Sequence, residues 1–467
     1  MNIEVIKSIL YIVEFFFALY LIGYSTFLFL SVCVGSSVLY KEMKIKNLKD
    51  KINKNINIPI SILVPAHNEE VTVCDTIKSL LELDYTNYEI IVIDDGSSDE
   101  TAKRIIDCFG MQLVSKKIDS VLKTAKIKQI YETYDYKVTI TLVMKENGGK
   151  ADALNVGINV SNYPYFICMD ADSFLQRDSL INIVRPVLED DLTVAVGGMV
   201  RISNDLTFED GYPTSCHLPK NLLACMQVLE YDRTFLGSRI MFDKFNGNLI
   251  ISGAFGLFQK EMVVACGGYD KNTMGEDMEL VVKLHVFCRT NLIPYKIKYA
   301  SDAICWSQAP SNLKDLAKQR RRWYLGLFQS MTKHHQLFFN TRYGLISFIS
   351  YLYFLIYELF SPFIELIGIL FTVLSFCVGL TNIKYMIFFY LTYAIFGALL
   401  SVTSFFARIY VNNTKVSILD IIKVFALCLI EISVLRFYLS VVRMCSFIGY
   451  KRKKNNWGSI KRYKMSE

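Results

Sequence analysis

The sequence lacks several patterns that would assign it to a common class of protein. Its 12 cysteines show no paired Cys-x-x-Cys spacing, which excludes the familiar zinc sites, and several lie in apolar segments, as expected of reduced, buried thiols. No internal repeat or low-complexity tract is visible. No stripe of basic and aromatic residues occurs between the apolar ends, so the net charge of +7 does not indicate a nucleic-acid partner.

Long apolar segments at both ends of the chain indicate a membrane protein. They cover residues 5–40, 345–380, 385–406 and 418–442, and a bilayer core is crossed by roughly 20 residues. The first segment exceeds the roughly 7–15 residues of a signal-peptide core, and lysines follow it, so we expect an uncleaved span whose carboxyl end is cytoplasmic. Because Pro362 divides the second segment, we predict two spans there and five in all; four spans with an interfacial helix are the alternative.

These segments predict a division of the chain into parts. We expect an N-terminal transmembrane helix at 1–40, a basic linker at 41–57 and a cytoplasmic catalytic domain at 58–310. Amphipathic interfacial helices at 311–342, further transmembrane helices at 343–443 and a basic cytoplasmic tail at 444–467 follow. The bilayer and its anionic headgroups explain the basic segments.

Strand and helix patterns alternate in the soluble part, which predicts an α/β domain with a mostly parallel sheet. We predict strands at 60–64, 88–93, 138–144 and 165–169, and helices at 69–81, 98–108 and 150–160, with Ser97 or Ser98 capping the second helix. Residues 111–137 are basic and irregular, and we interpret them as an insertion. Ligands of such sheets bind at the carboxyl ends of the strands.

Polar motifs follow the first three of these strands. Asp95, after the second strand, can accept hydrogen bonds from a uracil or ribose edge, although a simple capped turn is the alternative. Ala66 and Glu69 lie in a similar turn after the first strand. Lys150 follows two glycines at a helix start, where backbone N–H groups attract phosphate; the P-loop spacing is missing, and an ordinary turn is the alternative.

Two aspartates follow the fourth strand. Residues i and i+2 of an extended segment point the same way, so Asp170 and Asp172 can both face one Mg²⁺ or Mn²⁺ ion. Such a cation would bridge a diphosphate and neutralise a leaving group.

A further acidic pair precedes a predicted helix. A sugar transfer needs a carboxylate that removes the proton of the acceptor hydroxyl. Asp277 is our first choice for this base and Glu276 the second, with helix capping as the alternative.

A basic motif lies at residues 319–323, just before the second apolar segment. Gln319, Arg322 and Trp323 share one helix face, which can hold a diphosphate and stack on a sugar ring. Arg320 or Arg321 would then meet lipid headgroups. Within the apolar segments, we expect Glu358 and Glu365 to line a glycan channel or to lie at an interface.

With these motifs in this order, the chain resembles the processive, membrane-embedded family 2 glycosyltransferases. These include bacterial cellulose and mixed-linkage β-glucan synthases, poly-N-acetylglucosamine synthase and hyaluronan synthase. The resemblance covers residues 59–323, where Ser252 and Gly253 match the family's loop beneath the acceptor end. It implies a GT-A-type fold between transmembrane helices and an inverting transfer from a UDP-sugar to a growing glycan.

The resemblance also implies roles for single residues. On the donor side, it implies that Asp95 contacts the uridine, that Lys150 and Asp170 contact the nucleotide, and that Asp172 binds the metal. Asp277 would be the base, and Gln319, Arg322 and Trp323 would form the acceptor and diphosphate site. Trp457 would belong to a segment that closes over the nucleotide.

The identity of the product is the open part of this interpretation. We expect UDP-glucose and a cellulose-like or mixed-linkage β-glucan, with a poly-N-acetylglucosamine or hyaluronan-type synthase as the alternative. A non-processive transferase acting on a lipid carrier is a further alternative. About 20 residues follow the last apolar segment, so we expect no PilZ-like domain; accessory export subunits would be partners.

Overall fold

The computed structural model describes residues 3–52, 58–214, 217–379, 383–412 and 418–448. The strands of this part are β1 Ile60–Ala66, β2 Tyr88–Asp94, β3 Gln112–Val114, β4 Ile127–Thr133, β5 Ile140–Lys145, β6 Tyr165–Met169, β7 Phe174–Leu175, β8 Thr193–Ile202, β9 Phe208–Glu209, β10 Tyr212–Pro213, β11 Phe255–Gln259 and β12 Lys296–Ser307. The α-helices are α1 Ile3–Ile52, α2 Val73–Leu81, α3 Thr101–Phe109, α4 Lys150–Val160, α5 Ser179–Glu189, α6 Leu222–Arg233, α7 Arg239–Asp243, α8 Lys260–Ala265, α9 Glu276–Thr290, α10 Leu313–Lys333, α11 Ser361–Cys377, α12 Ile383–Asn412, α13 Ile418–Ile430 and α14 Arg436–Met444. Segments of π-helix occur at Thr234–Ser238, Ile346–Tyr351, Phe354–Leu359 and Glu431–Leu435.

One sheet of ten strands organises the soluble part, in the order β3-β4-β5-β2-β1-β6-β11-β8-β12-β7. The central strands β5, β2, β1 and β6 are parallel, and antiparallel strands flank them on both sides. The predicted α/β fold is therefore confirmed. Because the central strands are parallel, their carboxyl ends lie at one edge of the sheet.

Both faces of the sheet are covered by helices, which explains the apolar runs of the central strands. Ile60, Ile62 and Val64 of β1 pack into one core layer with α2, α3 and α5. Leu63, from the same strand, packs into the opposite layer with α4 and α9. Successive side chains of a strand point to opposite faces, so a doubly covered strand has no polar side.

The interpretation of residues 111–137 as an irregular insertion is wrong, because β3 and β4 lie there and extend the sheet. Ile130 of β4 is buried while its neighbours Lys128 and Gln129 are both exposed, so the strand lacks a regular alternation of apolar and polar residues. The predicted cap is also wrong. Helix α3 begins at Thr101, and Asp99 accepts a hydrogen bond from the Thr101 N–H at 3.0 Å.

Two helices in the described part of the chain are long and apolar enough to cross a membrane, at Lys7–Lys44 and Met386–Tyr410. A third crossing requires Ile346–Leu359 and Ser361–Cys377 to act together, and these two segments are bent by 51°. The bend lies where Pro362 predicted a break. Five spans remain a prediction.

Candidate active site

The register of the sheet places most of the predicted site residues at one edge. Ala66 of β1 is paired with Asp94 of β2, and Asp94 is paired with Met144 of β5. Strand β6 ends at Met169, directly before Asp170. The motifs that follow β1, β2, β5 and β6 therefore meet at the carboxyl edge, as the sequence predicted.

Asp95 organises the turn that precedes α4. Its carboxylate accepts hydrogen bonds from the N–H groups of Gly148 at 2.9 Å and Gly149 at 2.7 Å, and it pairs with Lys145. The N–H of Asp95 donates to the carbonyl oxygen of Ala66 at 2.9 Å. In this structure the carboxylate thus holds the glycine turn, and its contact with a uridine remains a prediction.

The turns after β1 and β2 are tied to each other and to α3. Gly96 has a φ of +68°, and a Cβ there would lie 2.9 Å from the backbone nitrogen of Asn147. This position therefore requires glycine. Glu69 donates from its backbone N–H to the hydroxyl of Thr101 at 2.9 Å, and its carboxylate accepts from the Thr72 hydroxyl at 3.1 Å. Glu69 thus connects the first turn to the start of α3.

Sequence reasoning missed a buried network of charges beneath the glycine turn. Lys145 is fully buried and bridges Asp95 to Asp152, whose carboxylate lies 2.9 Å from the Lys145 ammonium. Asp152 also pairs with Lys271 at 2.9 Å. Burial by itself would raise the pKa of Asp152, but hydrogen bonds from the two lysines hold that pKa below its usual range. The sequence did contain a signal for this network, because Lys145 ends a strand that is otherwise apolar and buried.

Lys150 is the first residue of α4 and faces three different motifs. Its ammonium pairs with Asp170, lies 3.6 Å from Glu276 Oε1, and lies 3.4 Å from the carbonyl oxygen of Gly253. Burial would lower the pKa of Lys150, but the two carboxylates raise it above its ordinary value, so the ammonium stays charged. A permanent charge at a helix N-terminus suits phosphate groups.

Asp170 and Asp172 are suited to a cation that arrives with a substrate. The side chain of Asp170 is 36% exposed at the site. Among the residues that the structure describes, no group of three or more His, Cys, Asp or Glu could hold a metal ion. Mg²⁺ is commonly held by one or two carboxylates together with phosphate oxygens and water. The two aspartates therefore fit a metal bound jointly with a diphosphate.

Asp277 connects the predicted base to the predicted acceptor loop. Its Oδ2 accepts a hydrogen bond from the N–H of Gly253 at 3.1 Å, and its Oδ1 accepts from the N–H of Met278 at 2.8 Å. Ser252 shapes the same loop, because its hydroxyl accepts from the N–H of Ala254 at 3.3 Å. Asp277 is thereby oriented at the point where an acceptor would end.

Glu276 differs from its neighbour in burial. Its side chain is 6% exposed and faces Lys150. Burial raises the pKa of Glu276, with Asp277 adding to this rise and Lys150 and Arg322 opposing it. The more accessible Asp277 is therefore the better base, and Glu276 is placed to hold the lysine.

Two glycines dock α10 onto the start of α9. A Cβ on Gly326 would lie 2.7 Å from Cα of Gly275, so the two backbones are in direct contact. One turn away, the side-chain oxygen of Gln329 accepts from the N–H of Met274 at 2.8 Å. This contact brings the basic motif of α10 against the acidic motif of α9.

Of the three predicted residues of the motif, Trp323 is the one with an exposed side chain. The ring of Trp323 is 39% exposed, which leaves one surface for a sugar. Gln319 Oε1 is buried and has no hydrogen-bond partner within the described residues. Arg322 acts electrostatically on Glu276.

The prediction of contact with lipid headgroups is wrong for Arg320. Arg320 is buried, and its guanidinium forms two hydrogen bonds with Glu230 of α6, at 2.6 and 2.8 Å. The same guanidinium lies 4.5 Å from the centre of the Trp323 ring. Arg321 is partly exposed and donates to the carbonyl oxygen of Ile448 at 2.6 Å, and its contact with headgroups stays a prediction. The predicted donor residue Trp457 lies outside the described residues.

Comparisons with known proteins agree with this geometry. The family described as "Glycosyltransferase like family 2" matches residues 58–326. The poly-beta-1,6-N-acetyl-D-glucosamine synthase of Staphylococcus aureus (strain COL) is 33% identical over 311 residues, which are 66% of this chain and 64% of that protein. The synthase of the same name from Staphylococcus epidermidis (strain ATCC 35984) is 32% identical over 268 residues, 57% of this chain and 54% of that protein. The chain therefore matches less than two thirds of the length of these relatives.

A solved structure shows the same fold. It is a mannosyltransferase from Pyrobaculum calidifontis in complex with GDP-Man and Mn²⁺. The match covers 92% of this chain and 98% of that one, with a TM-score of 0.50 and 16% identity. The predicted GT-A-type fold is confirmed.

Proposed function

We propose that this chain, which belongs to glycosyltransferase-like family 2, transfers N-acetylglucosamine from UDP-N-acetylglucosamine to the end of a growing β-linked glycan. The staphylococcal relatives are named as synthases of such a polymer. They support the donor that the sequence placed second, and not UDP-glucose with a β-glucan product.

One observation carries the proposal: the backbone of a single residue, Gly253, joins the donor and acceptor sides of the site. The N–H of Gly253 donates to the base Asp277 at 3.1 Å, and the carbonyl oxygen of Gly253 lies 3.4 Å from the ammonium of Lys150. Lys150 is placed for the diphosphate and Asp277 for the acceptor hydroxyl. The two groups that a single displacement needs are thus held by the same loop.

The reaction follows from this arrangement. Asp277 removes the proton of the acceptor hydroxyl, and that oxygen forms a bond to the anomeric carbon as the bond to the UDP oxygen breaks. Lys150 and the N-terminus of α4 stabilise the negative charge that develops on the diphosphate. The ring of Trp323 supports the acceptor sugar, and Gln319 lies on the same face of α10.

A divalent cation completes the donor side. Asp170 and Asp172 would hold Mg²⁺ or Mn²⁺, which supplies charge neutralisation to the diphosphate leaving group. The mannosyltransferase of the same fold is described in complex with Mn²⁺, in support of this assignment.

We also place the chain in the cytoplasmic membrane, as a multi-pass protein whose catalytic domain faces the cytoplasm. The two candidate spans and the lysines after the first of them support this topology. Export of the glycan, with or without accessory subunits, is part of the same proposal. Glu365 is paired with Arg436 at 2.5 Å, so Glu358 is the better candidate for lining a channel.

The test is product analysis of the full chain in lipid nanodiscs. Protein is given UDP-N-acetylglucosamine or UDP-glucose with Mg²⁺ or Mn²⁺, and the product is sized and digested with linkage-specific glycosidases. We expect a long polymer from UDP-N-acetylglucosamine alone, and a loss of at least 100-fold in Asp277→Asn. Asp270→Asn, which removes an ion pair with Lys333 but can still accept the hydrogen bond from the N–H of Asn272, is the matched control and should keep its activity.

Other products would contradict the proposal in distinct ways. Polymer from UDP-glucose alone would overturn the donor and leave the mechanism standing. A product of one or two sugars on lipid would refute processive synthesis. Full activity of Asp277→Asn would refute the assignment of the base.

A further inference from the structure

A cavity of about 450 Å³ lies between α1 and the end of α7, away from the catalytic edge of the sheet. Cys33, Val34 and Val38 of α1 form an apolar wall at one end. Lys41 and Glu42, one turn further along α1, form a charged part of the lining, and Lys244 lines the cavity from the end of α7. The cavity therefore changes from apolar to charged along the axis of α1.

This change occurs at the depth where a bilayer would end. Nine large apolar side chains of α1 are exposed within residues 9–30. That stretch measures about 33 Å as a helix, close to the roughly 30 Å of a hydrocarbon core. Tyr40 packs against Tyr410 of α12 with their ring centres 6.4 Å apart, and tyrosines favour the membrane interface. The cavity thus begins where the lipid-facing surface of α1 stops.

The charged side chains of the lining favour a single negative charge. Lys41 and Lys244 are both exposed, whereas Glu42 already accepts a hydrogen bond from the hydroxyl of Ser301 at 2.9 Å. Among the lining side chains, two ammonium groups and one carboxylate leave a net charge of +1. An ordinary soluble metabolite would gain nothing from the apolar wall formed by Cys33 and Val34.

We propose that this cavity binds a phospholipid with a monoanionic headgroup, such as phosphatidylglycerol. Its phosphate lies between Lys41 and Lys244, and its glycerol backbone and first acyl carbons lie against Cys33, Val34 and Val38. The inference rests on the proposed placement of the chain in a membrane.

The lipid would join α1 to α7, and α7 contacts the segment that precedes the acceptor loop. Next to the cavity, α1 and the segment before α7 are in backbone contact, since a Cβ on Gly35 would lie 2.1 Å from the carbonyl oxygen of Leu236. At the start of α7, Arg239 donates to the carbonyl oxygen of Ile250 at 2.6 Å and so holds the acceptor loop. A lipid that bridges Lys41 and Lys244 fastens α7 to α1. Occupancy should therefore increase the rate of polymer synthesis.

Binding is tested with the full chain in phosphatidylcholine nanodiscs that contain a few per cent of photoactivatable phosphatidylglycerol. Mass spectrometry measures crosslinked lipid per protein, with crosslinks expected in the peptide that contains residues 33–41. The double variant Lys41→Gln, Lys244→Gln should lose at least fivefold of this labelling. Cys33→Trp, which fills the cavity without changing its charge, should lose as much.

A matched control separates this site from general attraction to an anionic surface. The double variant Lys44→Gln, Lys128→Gln removes the same charge from lysines that do not line the cavity, and it should keep more than half of the labelling. An equal loss in this control would overturn the inference. Equal labelling by a phosphatidylcholine or phosphatidylethanolamine probe would overturn the selection by charge.

The readout also distinguishes this inference from the proposed function, because labelling requires no sugar transfer. A chain that is labelled as expected but makes no polymer refutes the function alone. A chain that makes polymer but is not labelled at the cavity refutes the lipid site alone.

Discussion

Gly326→Ala adds a single methyl group and is expected to lower the rate of polymer synthesis strongly. Its Cβ would lie 2.7 Å from the Cα and nitrogen of Gly275, whereas ordinary contacts begin at 3.4 Å. The neighbouring atoms are backbone, so α10 and the start of α9 must move apart by several tenths of an ångström. Overpacking of this kind costs about 1–3 kcal/mol, which exceeds the gain of about 1 kcal/mol from replacing glycine in a helix.

The displacement acts directly on the chemistry. Asp277 is two residues after Gly275, and Trp323 is three residues before Gly326, so the base and the acceptor platform separate. A misplacement of about 1 Å can cost about 100-fold in rate. We therefore expect kcat to fall about 10- to 100-fold, with a lower melting temperature.

The assay compares polymer formation and thermal unfolding in nanodiscs with a matched control. Gly237→Ala adds the same methyl group within the helical segment Thr234–Ser238, where its nearest contact would be the Ser31 hydroxyl at 3.5 Å. This control should keep its activity. If Gly326→Ala also keeps full activity and melting temperature, the glycine contact does not position the site.

Three further predictions concern buried charge and metal. Glu230→Gln leaves the buried Arg320 guanidinium without its carboxylate. Breaking a buried ion pair costs about 3–5 kcal/mol of folding stability. Because Glu230 is partly exposed, we expect a loss of about 3 kcal/mol, measured as a lower melting temperature. Burial lowers the pKa of His285 to about 4. As the pH falls from about 6.5 toward 4, the unfolded chain therefore takes up a proton that the folded chain does not. About 3 kcal/mol of folding stability that is present above pH 6.5 is lost over this interval. His285→Gln should unfold with a flatter pH dependence over that interval, and an unchanged slope would contradict the assignment. Asp172→Asn should raise the Mn²⁺ concentration for half-maximal activity at least tenfold after EDTA treatment. An unchanged titration would remove Asp172 from the metal site.

The central strands could be predicted because a strand that is buried on both faces has a continuous run of apolar residues in its sequence. Tyr165–Met169 and Lys150–Val160 have the predicted bounds. Strand β4 could not be recognised in the same way, because its exposed residues Lys128 and Gln129 are adjacent and interrupt the alternation of buried and exposed side chains. Its pairing with β5 supplies the stability that its own sequence does not show.

Helix α10 shows where local patterns mislead. Three consecutive arginines beside an apolar segment are typical of an interfacial helix, and that pattern predicted contact with lipid. Arg320 instead pairs with Glu230, which precedes it by 90 residues. No local spacing reveals such a pair, because the partner is set by the packing of α6 against α10.

Gly253 was predicted from its motif, but the sequence alone does not explain why a glycine occurs at this position. Its φ lies outside the left-handed region, so the backbone does not require glycine there. The requirement comes from space, since a Cβ would lie 3.1 Å from the ammonium of Lys150 and 3.5 Å from Cβ of Asp277. Any larger side chain would stand between the group that we propose for the leaving diphosphate and the group that we propose for activating the acceptor. Glycine suits this position because both groups contact the backbone of one residue, and this convergence depends on residues 103 and 24 positions away.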